Sequence, residues 1–195
     1  MDAMVNQLLE QLTGAGLSQV CGKLGVDEGT ARTALSAALP LLVSALARNA
    51  SQPQGAQALH TALTNDHDGS ILNDVASFLQ NPQSANGAGI LGHILGSQQS
   101  TVTQGLTQGT GMDSAQVEQL LQIAAPLVMG SLGQQTRQQG LDPKGLSAFL
   151  GSQQQQAHQS NPDMMGLLNG LLDAGQGGQG NDDLFGALGK MLGGG

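Results

Sequence analysis

Two uncharged apolar stretches, ALPLLVSAL at 38–46 and AAPLVMGSL at 124–132, each carry a proline in the middle, and this constrains the fold more than any other feature. A proline inside a helix removes one backbone hydrogen bond and clashes with the preceding turn, so each helix is expected to kink or split there. The two stretches belong to a longer correspondence. Gly25, Asp27, Leu35, Ala38, Pro40, Leu41 and Leu46 return 86 residues later as Gly111, Asp113, Leu121, Ala124, Pro126, Leu127 and Leu132. A helix-start signal, a mid-helix proline and a flanking apolar stripe at one offset point to an internal duplication, hence two helical halves related by pseudo-symmetry.

The remaining helices follow from periodicity. Met4, Leu8 and Leu12 recur at helical spacing up to the break at 14–16, and Leu17, Val20, Cys21 and Leu24 mark a short second helix ending at Gly25. Asp27 is placed to cap a third, along which Ala31, Ala34, Leu35, Ala38, Leu42, Ala45 and Leu46 form a wide stripe. Each half continues into a Ser, Phe and Leu cluster, Ser77–Phe78–Leu79 in one and Ser147, Phe149 and Leu150 in the other. Glycine-spaced apolar segments follow, GILGHILG at 89–96 and MGLLNGLLD at 165–173. No run alternates in the manner of a half-buried strand. The expectation is an all-α, compact helical bundle of two duplicated halves, with Pro-kinked or split central helices and no significant sheet. Residues 1–173 form the body, its halves about 1–96 and 97–173; 174–181 is a Gly/Gln-rich linker and 182–195 a short amphipathic terminal segment.

Composition narrows the function classes. Three Phe, no Trp and no Tyr leave an aliphatic core, and charged residues are only 10% of the 195 positions, so a neutral coat of Gln, Asn, Ser and Thr must face water. The net charge of −8 argues against a phosphate-neutralising surface, and nucleic acid is not an expected partner. The lone Cys21 cannot form an internal disulfide, and the N-terminus lacks a basic region followed by an apolar one. A cytoplasmic location is expected. Stretch 33–47 is too short to span a bilayer and 119–136 is interrupted by glutamines, so both are read as buried core helices, with no transmembrane segment.

The motifs that could carry chemistry are weak. Gly87, Gly89 and Gly92 satisfy GxGxxG, but polar turn-formers at 81–86 stand where a dinucleotide fold needs a strand, so a helix start with close packing is the better reading. Gly92 with Gly96, Gly166 with Gly170 and Gly189 with Gly193 sit four apart and suggest ridges where another helix approaches, within the chain by preference. Asp66, Asp68 and Ser70 resemble the first half of a calcium loop. The twelfth position is Val75 instead of Glu, so these three are weak metal candidates, and a loop in which Asp68 or Ser70 caps the helix of Ile71, Val75 and Phe78 is preferred. His60, His67, His93 and His158 are never paired at metal-site spacing. Cys21, on an apolar stripe without a basic neighbour, is expected to be an unreactive thiol. Nucleophile elbows, phosphate loops and zinc-protease helices are missing, so neither catalysis nor a cofactor is expected.

Together the runs ALPLLVSALARNA, LTNDHDGSILNDVASFL, GAGILGHILG and LLQIAAPLVMGSLG, within about residues 34–151, resemble a bacterial family, domain of unknown function 937. The resemblance implies a helical bacterial domain and no assigned activity, so it transfers no functional residues. The functional expectation is a non-enzymatic helical interaction or assembly module. In it the terminal segment would bury Leu184, Phe185, Leu188 and Met191 in a groove of another copy or of another protein. The alternative is a binder of an apolar small molecule between the two halves.

Overall fold

The computed structural model describes Glu10 and residues 15–160. In chain order the helices are α1 (Ala15–Leu24), α2 (Glu28–Ala50), α3 (Pro53–Asn65), α4 (Val75–Gln80), α5 (Gly87–Leu95), α6 (Gln99–Thr110), α7 (Ser114–Gln139) and α8 (Pro143–Ser160). Short 3₁₀ turns lie at Ser70–Asp74, Pro82–Ala85 and Gly96–Gln98, and no strand occurs among the described residues. The helix expected around Met4, Leu8 and Leu12, the segment 165–173, the linker 174–181 and the terminal segment 182–195 lie outside the described residues.

Two matching turns set the frame. α1 ends at Gly25 with φ +67° and α6 at Gly111 with φ +71°, left-handed conformations that glycine adopts without a Cβ penalty. Two residues on, Asp27 and Asp113 take nearly the same extended conformation (φ −75°, ψ 164° and φ −77°, ψ 163°) and cap the next helix. Asp27 Oδ1 accepts from the Thr30 N–H at 3.0 Å, and Asp113 Oδ1 accepts from Gln116 N–H at 2.8 Å. Gln116 reciprocates, accepting from Asp113 N–H at 3.0 Å, and its side-chain amide also donates to the Leu24 carbonyl at 2.9 Å, tying the start of α7 to the end of α1.

The helices these caps begin, α2 and α7, form the centre. Fourteen of the 23 residues of α2 and fifteen of the 26 of α7 are buried, spread around the helix instead of confined to one stripe. A helix buried on most sides belongs to the middle of a bundle. α2 and α7 pack on each other; α5 lies on α7 and α2, α6 on both, and α8 across α2 and α3. By length and composition alone α2 could also cross a membrane, yet most of it is covered by the rest of the chain, as befits a core helix. Both central helices run unbroken through Pro40 and Pro126, so of the two expected outcomes, kink or split, the split does not occur.

Glycine contacts differ from the expected ridges. Among the described residues nothing lies within 4 Å of where a Cβ on Gly92 or Gly96 would stand, so neither receives another of the described helices. Close backbone approaches fall elsewhere. A Cβ on Gly133 would collide with the His67 carbonyl oxygen, one on Gly87 with that of Gln122, and one on Gly55 with that of Asn49. The Ser-Phe-Leu clusters also sit on unlike elements, the first on six-residue α4 and the second inside 18-residue α8.

These contacts predict opposite outcomes for two glycine substitutions. Gly133→Ala should lower stability in urea unfolding by about 1–3 kcal/mol, because backbone must move to admit a methyl group. Gly92→Ala should raise it by roughly 0.5–1 kcal/mol, since an exposed helix position gains propensity and loses no contact.

Candidate functional site

A broad concavity grows out of the Gly133 contact. Residues 66–70 leave the end of α3 and cross α7, where Gly133 and Gly130 lack the side chains that would hold them off; Gly69, with φ +91°, lies against Gly130 and Gln134. This fixes the loop as one wall of a cleft of 980 Å³, with α3 and α5 as the other walls. Its apolar lining includes Leu59, Ala62, Ile71, Ile90, Ile94 and Met129, and Arg48, Asp66, His67, Asp68 and His93 bring charge or imidazole to it. Asn49 holds the end of α5 in place, its side-chain amide donating to the His93 carbonyl at 3.2 Å and the Ile94 carbonyl at 2.9 Å. The cleft lies between α3 and α5 and not along the seam of the two central helices.

The three weak metal candidates meet here and do different work. Asp68 Oδ1 accepts from Ser70 N–H at 2.9 Å, and Asp68 Oδ2 lies 3.2 Å from Arg137 Nη1, which also donates to the Asp68 carbonyl at 3.2 Å. The Ser70 amide and hydroxyl, with Arg137 adding a positive charge, hold the Asp68 carboxyl below the usual carboxylate range. Asp66 is exposed at the end of α3, and Ser70 opens the 3₁₀ turn. Among the described residues no three His, Cys, Asp or Glu side chains converge as a metal site would require. The cap of the helix carrying Val75 and Phe78 is neither Asp68 nor Ser70. Asp74 does this, accepting from Ser77 N–H at 2.9 Å and Ser77 Oγ at 2.6 Å, and Ile71 falls in the preceding 3₁₀ turn.

Each histidine with a described side chain has a separate setting. His67, half-buried in the cleft wall, has its pKa pushed down by desolvation, partly opposed by the negative Asp66. His93 is exposed at the cleft. His60 Nε2 lies 2.9 Å from the Leu141 carbonyl, which can only accept, so that nitrogen carries the proton and joins α3 to the turn before α8. The His158 side chain lies outside the described residues. Cys21 is half-buried against the core, and burial first, then the charges of Glu28 and Asp27, push its thiol pKa up, the direction of an unreactive sulfur. The glycines of GxGxxG open α5, preceded by a 3₁₀ turn and by Asn86 at φ +50°; Gly87 rests on a carbonyl oxygen, a contact opposite in sign to a phosphate cradle.

Sequence reasoning singled out His67, Asp66, Asp68 and Ser70 but not the walls opposite them. Nothing in the linear pattern announces that Leu59 and Ala62 face Ile90 and Ile94 across open space. The one available signal was the pair Gly130 and Gly133 on an otherwise filled apolar helix, which marks a backbone crossing.

The model of a family described as a bacterial protein of unknown function, DUF937, matches residues 6–135. This chain belongs to that family. No curated protein and no solved structure matches it. For this DUF937 member, function therefore has to be argued from the cleft itself.

Because the pKa of His67 is lowered in the folded state, the unfolded chain binds protons more readily there. Stability is then complete above the ordinary histidine pKa and declines as pH falls through and below it. Urea midpoints measured between about pH 8 and pH 5 should fall with pH, and His67→Gln should flatten that slope. An unchanged slope in the variant would place the pH dependence elsewhere.

Proposed function

We propose that the chain is a non-enzymatic interaction module that seats the apolar stripe of another protein's helix in the cleft between α3 and α5. The observation that carries this reading is the cleft itself: an aliphatic floor of Leu59, Ala62, Ile71, Ile90, Ile94 and Met129 with polar groups around it. Helix-in-groove recognition uses such a surface, with side chains at i, i+3, i+4 and i+7 inserted between two helices. The sparse charge of the chain suits a partner recognised by apolar fit, with Arg48 and Asp66 positioned to fix its direction. The matching caps and interior prolines of α2 and α7 support the reading too, since they give two similar helical supports for such surfaces.

A second reading rests on size. A volume of 980 Å³ lies at the upper end of the roughly 300–1,000 Å³ typical of small-molecule pockets, and the same floor would hold an apolar ligand.

One pair of variants tests the first reading and separates it from the second. A photoreactive benzophenone side chain at exposed Ala58 should cross-link the partner, and adding Ala62→Trp, which fills the cleft, should reduce capture at least about tenfold, equivalent to 1.4 kcal/mol. Capture that persists with the cleft filled would remove the reading. Native mass spectrometry of the purified chain showing a bound small molecule, displaced by Ala62→Trp, would establish the second reading in its place.

A further inference from the structure

Both helical walls of the cleft are fastened at one end by the same residue. Gly55, in the first turn of α3, lies on the Asn49 carbonyl oxygen, and the Asn49 side chain donates to the His93 and Ile94 carbonyls near the end of α5. α3 therefore starts where α5 finishes, and the cleft has two unlike ends. Arg48 and His93 line the end at Asn49, and Asp66, which follows the last residue of α3, lines the other. The 13 residues of α3 set these ends about 20 Å apart, the length of three to four helical turns.

Charge separates along the same axis. Arg48, Asp66 and Asp68 are the residues lining the cleft that carry a full charge, and Asp68 is answered by Arg137 at 3.2 Å, so Asp66 sets the sign of its end. At the Asn49 end the Arg48 guanidinium is joined by the imidazole of exposed His93, which keeps an N–H to donate whether or not it is protonated. The helix dipoles of the two walls oppose each other, because α3 begins and α5 ends at Asn49. α2 also ends there, at Ala50, and its carbonyl terminus favours the N-terminus of a guest helix.

We infer that the helix seated in this cleft is three to four turns long, acidic in its first turn and basic in its last, and lies parallel to α3 with its N-terminus at Arg48 and its C-terminus at Asp66. The inference rests on the helix-in-groove reading and adds to it the partner's length, charge order and direction. Acids in the first turn and bases in the last also stabilise an isolated helix through its own dipole, so such a guest loses less freedom on docking. The opposite direction would set the guest's acids against Asp66 and its bases against Arg48, like-charge contacts that select against it.

The test uses the full chain and two synthetic peptides of about 14 residues, blocked at both ends, with leucines at i, i+3, i+4 and i+7. One carries glutamates in its first turn and lysines in its last; the other has them exchanged. By fluorescence anisotropy the first should bind at least about fivefold more tightly. In the chain carrying Arg48→Glu and Asp66→Lys its affinity should fall and that of the second should rise, a crossover that a difference in peptide helicity does not produce. A benzophenone on the first residue of the first peptide should cross-link the unsubstituted chain between Arg48 and Gly55, and one on its last residue between Asp66 and Ile71. Equal affinities, cross-links in the reverse order, or cross-links from each peptide end to both ends of the cleft would overturn the inference; where Ala62→Trp still abolishes that binding, the groove reading stands without a direction. Binding of neither peptide, or binding that Ala62→Trp leaves unchanged, would remove the groove reading and the inference with it.

Discussion

Everything in this bundle depends on α2 and α7 being buried on most sides in a core where, among the described residues, Phe78 and Phe149 are the only aromatic side chains. An aliphatic core built from Leu, Ala, Val and Gly lets helices approach closely, and at Gly55, Gly87 and Gly133 the approach goes all the way to backbone on backbone. Those three contacts share a chemistry. In each, a glycine lies on a carbonyl oxygen, a geometry in which the Cα–H groups provide weak, directional polar contacts where no N–H is in place. The central prolines fit this arrangement, since one of the covered oxygens, that of Gln122, is the one deprived of its partner by Pro126.

The parts of the fold legible in the sequence are those written locally. Gly25 and Gly111 end helices because few other residues accept positive φ, and Asp27 and Asp113 start them because a short carboxylate reaches the N–H three residues on. Such signals survive any tertiary context. The continuity of α2 and α7 through their prolines was not legible, because whether a helix breaks at proline depends on how tightly its two sides are held, and here the surrounding helices hold both.

The same distinction explains the glycines. A four-residue spacing at Gly92 and Gly96 reads as a contact ridge, yet Gly92 is exposed and Gly96 takes φ +53° to end α5. Their role is conformational at one position and silent within the described structure at the other. Gly130 and Gly133, spaced three apart in the middle of an apolar run, are the pair that makes space for a neighbour, since they admit the 66–71 loop. From sequence a missing side chain is ambiguous between freedom of φ and space for a neighbour, and only the neighbour resolves it. The cleft was illegible for the same reason: its floor is drawn from α3, α5 and α7, whose mutual placement no local pattern encodes.

The seat of His67 on α7 has one more consequence. Its carbonyl is pinned against Gly133 while the residue lines the cleft, so the wall it forms is fastened to α7, one of the two central helices. On the opposite side, the Asn49 clamp anchors α5 to the end of α2. A groove whose walls are both fastened to the interior loses little freedom when occupied. In the proposed function it would act as a mould fixed in advance, leaving the guest to do the adapting.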